Sequence, residues 1–562
     1  MAATQSVQLS RADADAVESA AQSLRAERYI ARLWERDASL WTSDPAAQAS
    51  IRDRLGWLTI ASAMRPQVGA LQQFAQEVRA SGLTRAVLLG MGGSSLFSDV
   101  CRRMFGPAAG ALDLTVLDTT DPAAIRAQHD GGPLKQLLVI VSSKSGSTAE
   151  ITALSAYFSE ALAQAGCEAR AQNIAITDEG TPLARHAAAQ RFRRLFAHGR
   201  GTGADVGGRF SALTYFGPVP AALMGIDAAQ LLRRGEEMLA RCGPARAAAG
   251  GPGAPLDENP AVQLGAVLGA LAQAGRDKAT LLCSPPLDSV GTWLEQLIAE
   301  STGKQGRGIA PIHGEPVREP SGYGDDRVFI ELQLASEPDR ALQRSVDALA
   351  KAGQPVVRIR WDDRYDLGGE TAKWCVATTI AARLLGVNPF DEPNVQESKD
   401  RTKALLAQYV RDGRLPPIPE APGSMSRRLS VFLAQRRARD YVAVLSFLPR
   451  VAALDAMLEE LRGAIGRRCR CATMTQVGPR YFHSSGQLFK GGPDAGLFLL
   501  LTAEETRDLA IPGERVTFGI LKQAQALGDV QAMQERGRRL LHLHLPGEPE
   551  RALQQFVAAV GR

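Results

Sequence analysis

The stretch "LLVIVSSKSGSTAE", residues 137–150, runs from five apolar residues directly into five hydroxyls within seven positions, grouped around Lys144. A second stretch, "GMGGSS" at 90–95, follows the apolar run "RAVLL" in the same way. Both sit between a buried-strand pattern and a helical one. A helix N-terminus offers unpaired backbone N–H groups and partial positive charge. Glycines let the backbone approach a ligand closely, and hydroxyls such as Ser143, Ser145, Ser147 and Thr148 adapt to an oxyanion. Lys144 adds a full charge. Together these features describe a phosphate pocket that needs no metal. The plainer alternative is that the Ser and Thr residues only cap a helix; two such loops in succession weigh against it. "GMGGSS" lacks the dinucleotide-fingerprint spacing and no GxxxxGK[ST] motif occurs, so neither a nicotinamide cofactor nor a nucleoside triphosphate is implied.

The elements that must hold these loops alternate. Residues 11–80 read as helices, with apolar residues at three- and four-residue steps. Strand patterns then appear at "RAVLLG", "LDLTVLDT", "LLVIVS" and "NIAITD", separated by helices, one of them expected to be N-capped by Asp121. The alternation resumes at "ATLLCS", "DRVFIELQL" and "PVVRIRW", and again at "DYVAVLSFL", "AGLFLLL" and "LLHLHLP". Alternating strands and helices give an α/β fold whose parallel sheets are covered on both faces. The Gly- and Ala-rich "CGPARAAAGGPGAPLDENP" and the Pro-rich "RLPPIPEAPGSM" read as connections. Four regions follow: an N-terminal helical segment over 1–80, α/β domains over 81–245 and 260–415, and an additional C-terminal α/β unit over 425–562.

Length agrees: 562 residues are too many for one core. Charges of both signs are interspersed and the net charge is only +5, which gives no sign of a nucleic-acid partner and suits a small anionic substrate. The N-terminus "MAATQSVQLSRADADAVESA" has no apolar core of a secretory signal. No apolar run approaches the ~20 residues of a membrane helix. A cytoplasmic protein without membrane attachment is expected. Of seven cysteines only Cys469 and Cys471 are close, without the second pair of a zinc site, so reduced and mostly buried thiols are expected.

"GMGGSS", "SSKSGST", "GGRFSALTYFGPVPAALMGI", "ESTGKQG" and "NPFDEPNVQESK" together resemble the phosphoglucose isomerase family. "RLWERDASLW" and "GPRYFHSSGQLFKGGPDAG" are similar to the isomerase half of bacterial fusions of transaldolase with phosphoglucose isomerase. The residues upstream are too few for a transaldolase barrel of about 250 residues, so the isomerase alone is expected. The resemblance implies two sugar-isomerase (SIS) type doubly wound domains with a sugar phosphate bound between them, no cofactor and a homodimer. It implies that Gly93 and Ser94 belong to a first phosphate loop, and that Ser143, Ser145 and Thr148 belong to a second. Arg209 corresponds to an arginine facing a developing enediolate, Glu300 to the catalytic base, and Lys399 to a residue assisting ring opening. Gln296, four residues before Glu300 on the same helix face, is a candidate sugar contact.

The implied reaction, interconversion of glucose 6-phosphate and fructose 6-phosphate, asks for such groups. One carboxylate can carry a proton between adjacent carbons of a cis-enediol, and general-base catalysis contributes typically ~10²–10⁴-fold. A fixed arginine suits the enediolate charge because it does not deprotonate. A histidine is expected to open the sugar ring, yet the segment after the base where the family carries one, "EPSGYGDDRVFIE", has none. His483, in "RYFHSSGQ", is the preferred candidate and His313, in "APIHGEP", the alternative; His542 and His544 read as packing or surface residues. Two other functions fit the same residues: a non-catalytic sugar-phosphate sensor, and an isomerase that also takes mannose 6-phosphate.

Overall fold

In the computed structural model, residues 4–244, 258–418 and 423–561 are described. The first expected connection therefore lies largely outside the described residues, and the Pro-rich one partly so. Fourteen strands form among the described residues: β1 (Thr4–Gln8), β2 (Arg85–Gly90), β3 (Asp113–Leu117), β4 (Leu137–Ser142), β5 (Asn173–Asp178), β6 (Arg194–His198), β7 (Lys278–Cys283), β8 (Ala310–His313), β9 (Arg327–Leu334), β10 (Val356–Trp361), β11 (Tyr441–Phe447), β12 (Ala472–Val477), β13 (Gly496–Ala503) and β14 (Arg539–Leu545). They build three sheets, in the orders β3-β2-β4-β5-β6, β1-β10-β9-β7-β8 and β12-β11-β13-β14. Every pairing is parallel except that of β1 on β10. All residues of β4, β9 and β11 are buried, as strands covered on both faces must be.

The first sheet reverses its winding direction between β2 and β4, where Gly90 stands opposite Ser142. Beyond the carboxyl ends of strands at such a point lies the usual crevice for ligands in an open α/β sheet. Both hydroxyl-rich loops leave the sheet there. The Ser142 hydroxyl donates to the Ser94 carbonyl at 2.7 Å and ties one loop to the other.

β1 is a feature that helical periodicity over the N-terminal region does not give. It adds an antiparallel strand to β10, covering an edge that would otherwise be open. The helix Arg11–Ala26 follows, capped by Ser10, and Asp13 on it pairs with Arg276 of the second unit at 3.3 Å.

The three units share apolar interiors. One core runs from Leu33 and Trp57 through Phe97 to Trp293 and Trp374, joining the N-terminal helices with the first two sheets. Another joins Val139 and Phe158 of the first unit to Phe518 and Leu521 of the third. A further one joins Ala299 and Ile312 of the second unit to Tyr481 and Phe489 of the third. The C-terminal unit is thus wedged against both others. Among the described residues no helix is long and apolar enough to cross a membrane.

Candidate active site

The first loop is the hub. Gly92 has φ of +55°, and a Cβ on it would lie 2.6 Å from the His483 carbonyl oxygen and 2.8 Å from Gln296 Nε2. A Cβ on Gly93 would lie 1.9 Å from the Gly208 carbonyl oxygen. No side chain fits at either position, so the bare backbone meets three segments distant in sequence. Ser94 spends its hydroxyl locally: it donates to the Met91 carbonyl at 2.8 Å and accepts from Met91 N–H at 3.2 Å.

In the second loop the Ser143 and Thr148 hydroxyls meet at 3.1 Å, and Ser145 accepts from Ser147 N–H at 3.4 Å. Ser145 and Ser147 are exposed. Thr148 holds the N-cap position of the helix Ala149–Gln164, yet its side chain caps no helical N–H. The Thr148 side chain thus does not cap this helix, whose N-terminus keeps its partial positive charge. Lys144 corrects the sequence expectation. Its ammonium pairs with Asp178 at 2.7 Å and donates to the Gly203 carbonyl at 2.9 Å, so its charge is already met by a carboxylate and it ties the loop to neighbouring segments.

The helix Asp288–Thr302 carries Gln296 and Glu300, one turn apart and both buried. Glu300 is 8% exposed and Arg209 4%. Arg209 Nη1 lies 2.8 Å from Glu300 Oε1. The guanidinium also reaches Glu392 at 3.2 Å and donates to the carbonyls of Pro389 at 3.1 Å and Asp391 at 2.8 Å. Its neighbour Phe210 stacks on Trp57 at 5.4 Å and packs against Phe390 at 5.2 Å, which fixes the turn Gly208–Phe210. Such ring pairs contribute about 0.5–1.5 kcal/mol each beyond burial.

Two carboxylates share one cation here, and their environments separate them. Burial holds Glu300 above the ordinary carboxylate range despite Arg209, and the like charge of Glu392 adds to this. Burial also works against Glu392, but Arg209, Arg54 and Lys304 together hold it below that range. A split of this kind marks one group as proton carrier and the other as fixed charge. Lys304, almost fully buried, pairs with Asp391 at 2.8 Å and donates to the Asn388 carbonyl. Burial, helped by Arg209, pulls its ammonium down to about 7.

Gln296 links the base to the histidine. Its Nε2 donates to Glu300 Oε2 at 3.0 Å and to the His483 carbonyl at 2.7 Å. Its buried Oε1 finds no hydrogen-bond partner among the described residues, leaving an acceptor for a ligand hydroxyl. His483 closes the turn Arg480–His483, and its Nε2 lies 3.3 Å from Glu150 Oε1. Burial opposes charge on Glu150, but the hydrogen bond and charge of His483, with a smaller contribution from Lys399, hold the carboxyl below its ordinary value. Lys399 is exposed on the helix Val395–Asp412. His313 lies elsewhere: it pairs with Asp288 at 3.1 Å, at the start of the helix that carries Glu300 near its end. Twelve residues at 1.5 Å each separate Asp288 from Glu300 by roughly 18 Å along the axis. His542 and His544 both bond the Thr502 hydroxyl, on β13 of the third sheet.

The structure therefore brings together Gly93, Ser94, Arg209, Gln296, Glu300 and His483, with the second loop adjoining and Lys399 at the rim. Glu150, Glu392 and Lys304 were not singled out by sequence reasoning. Glu150 ends the opening hydroxyl stretch, and Lys304 follows Glu300 by four positions, just past the helix end; those positions are the available signals. Among the described residues, no group of three His, Cys, Asp or Glu side chains is arranged to hold a metal ion.

Fold and site together define an α/β protein of the sugar-isomerase type. The chain is 34% identical over 357 residues to a probable glucose-6-phosphate isomerase of Haloquadratum walsbyi, covering 58% of this chain and 79% of that one. It belongs to the glucose-6-phosphate isomerase family. A probable glucose-6-phosphate isomerase of Natronomonas pharaonis is 30% identical over 57% of this chain and 78% of its own length. A glucose-6-phosphate isomerase of Synechococcus elongatus is 28% identical over 68% and 76%. No protein-family model matches the chain. Among solved structures, a hypothetical protein of Thermus thermophilus superposes with a TM-score of 0.59 at 23% identity, over 72% of this chain and all of that one. A glucose-6-phosphate isomerase of Chlamydia trachomatis does so with 0.53 at 18% identity, over 72% and 80%.

Proposed function

We infer that the chain interconverts glucose 6-phosphate and fructose 6-phosphate through a cis-enediol. The phosphate sits at the two loops beyond β2 and β4, on backbone amides and the second loop's hydroxyls. Ring opening breaks the C1–O5 bond: one proton leaves the O1 hydroxyl and one reaches O5. His483, oriented by Glu150, delivers the latter, with Lys399 assisting at the rim. Glu300 then removes the C2 proton. The C–H electron pair becomes the C1=C2 bond, and O1 gains a proton. Return of the proton to C1, with loss of the O2 hydroxyl proton, leaves a carbonyl at C2. Arg209 faces the negative charge that develops on the oxygens, and Gln296 accepts from a sugar hydroxyl.

The observation that carries this reading is the buried Glu300–Arg209 pair, bridged through Gln296 to His483 and adjoining a glycine loop at the sheet's switch point. The test is a coupled isomerase assay on purified protein with glucose 6-phosphate and with mannose 6-phosphate. Turnover of the first that is lost in Glu300→Gln supports the reading. Binding without turnover, with Glu300→Gln indistinguishable from wild type, identifies a sensor instead.

A further inference from the structure

The helix Phe518–Glu535 of the third unit turns three buried polar residues toward the domain junction, Lys522, Gln525 and Asp529, spaced so that they share one face. Lys522 grips Asp121 and Glu505, each at 2.7 Å. Gln525 Nε2 donates to Glu150 Oε1 at 2.9 Å, while its Oε1 accepts from Thr120 at 2.8 Å. Asp529, wholly buried, accepts three bonds: Oδ1 from Lys490 Nζ and from the Ser398 hydroxyl, both at 2.8 Å, and Oδ2 from the Tyr481 hydroxyl at 2.6 Å. The neighbouring Gly528 lets the helix Val395–Asp412 come close, since a Cβ there would lie 3.0 Å from Thr402 N.

Ser398 immediately precedes Lys399, and Tyr481 lies two residues before His483. One carboxylate thus fastens the helix that bears the lysine to the turn that bears the histidine. One helical turn away, Gln525 fastens the carboxylate that faces that histidine. Burying an ionic knot gains little stability over a well-packed apolar contact. Its bonds are directional, however, and they fix where attached groups lie. We propose that Asp529, with Gln525, is a positioning residue for ring opening: the third unit sets the geometry of His483, Glu150 and Lys399 from outside the substrate pocket. This rests on the reading of those residues given above.

Ring opening can be measured apart from isomerisation, as exchange between the α and β anomers of glucose 6-phosphate by NMR. Glu300→Gln should abolish isomerisation and keep anomer exchange. Tyr481→Phe and Asp529→Asn should slow anomer exchange about 10-fold or more, the scale of a small misplacement of a reacting group. They should also alter its pH profile while binding of 6-phosphogluconate, an open-chain acid, stays within about two-fold of wild type. Tyr481→Phe removes one hydroxyl from a buried ring and decides the matter should Asp529→Asn not fold. Anomer exchange unchanged in both folded variants, or lost together with 6-phosphogluconate binding, overturns the positioning role while the isomerase reading stands. A wild-type chain that neither isomerises nor exchanges anomers removes that reading, and the positioning role with it.

Discussion

Arg209 and Glu300 lie 2.8 Å apart and are both buried, yet they come from different α/β units. The pair is asymmetric. The guanidinium divides its five donors among two carboxylates and two carbonyls, whereas among the described residues Glu300 meets Arg209 and Gln296 alone. A carboxylate with a partial claim on a cation keeps its basicity, and that is what proton abstraction from carbon requires.

Replacing Glu300 with Gln keeps the shape but removes the proton acceptor, and the single amide oxygen can serve only one of the two donors, Arg209 or Gln296. We expect kcat to fall by ~10²–10⁴-fold with KM little changed. Steady-state kinetics on the two proteins check this.

The acid limb of kcat/KM should lie above the pH at which an ordinary glutamate titrates, because burial raises Glu300. Glu392 adds to that rise, so Glu392→Gln should move the limb toward lower pH. A pH–rate profile showing the limb unmoved, or moved upward, contradicts the sharing of Arg209.

Lys304 makes stability depend on pH with a definite sign. Folded, it releases its proton near 7; unfolded, it holds it to the ordinary lysine value of 10.5. Between these values the unfolded chain binds more protons, so stability rises with pH, by at most about 1.4 kcal/mol per unit. Lys304→Met should lose that dependence. Urea midpoints of both proteins at pH 7 and pH 9 measure the difference.

Gly93→Ala places a methyl group where the Gly208 carbonyl already stands. Either the loop or the turn bearing Arg209 must move. We expect kcat/KM to drop ~10²-fold and the folded state to lose about 1–3 kcal/mol. Kinetics and thermal melting read both effects.

Much of this was legible in the sequence because buried strands announce themselves. β2, β4, β11 and β13 are central and read as nearly unbroken apolar runs. β1, β6, β8 and β12 carry no such run, and all four are edge strands. β8 even contains Pro311, which an edge tolerates because the missing N–H has no ladder partner to serve. The site was legible where loops and spacing carry it, as in "SSKSGST" or the step from Gln296 to Glu300. It was not legible where tertiary contacts decide. Nothing in the local sequence says that Lys144 turns back to Asp178, or that Glu150 meets a histidine 333 positions later.

The wedge formed by the third unit has a consequence for how the enzyme is made. A ribosome reaches His483, Gln525 and Asp529 after both larger sheets have emerged. Until then the apolar surfaces that join Phe489 and Phe518 are uncovered by the third unit. A nascent or truncated chain would therefore hold Glu300 and Arg209 without His483, the residue proposed to open the ring, and would present apolar faces to chaperones. Activity should switch on only once the third unit has docked.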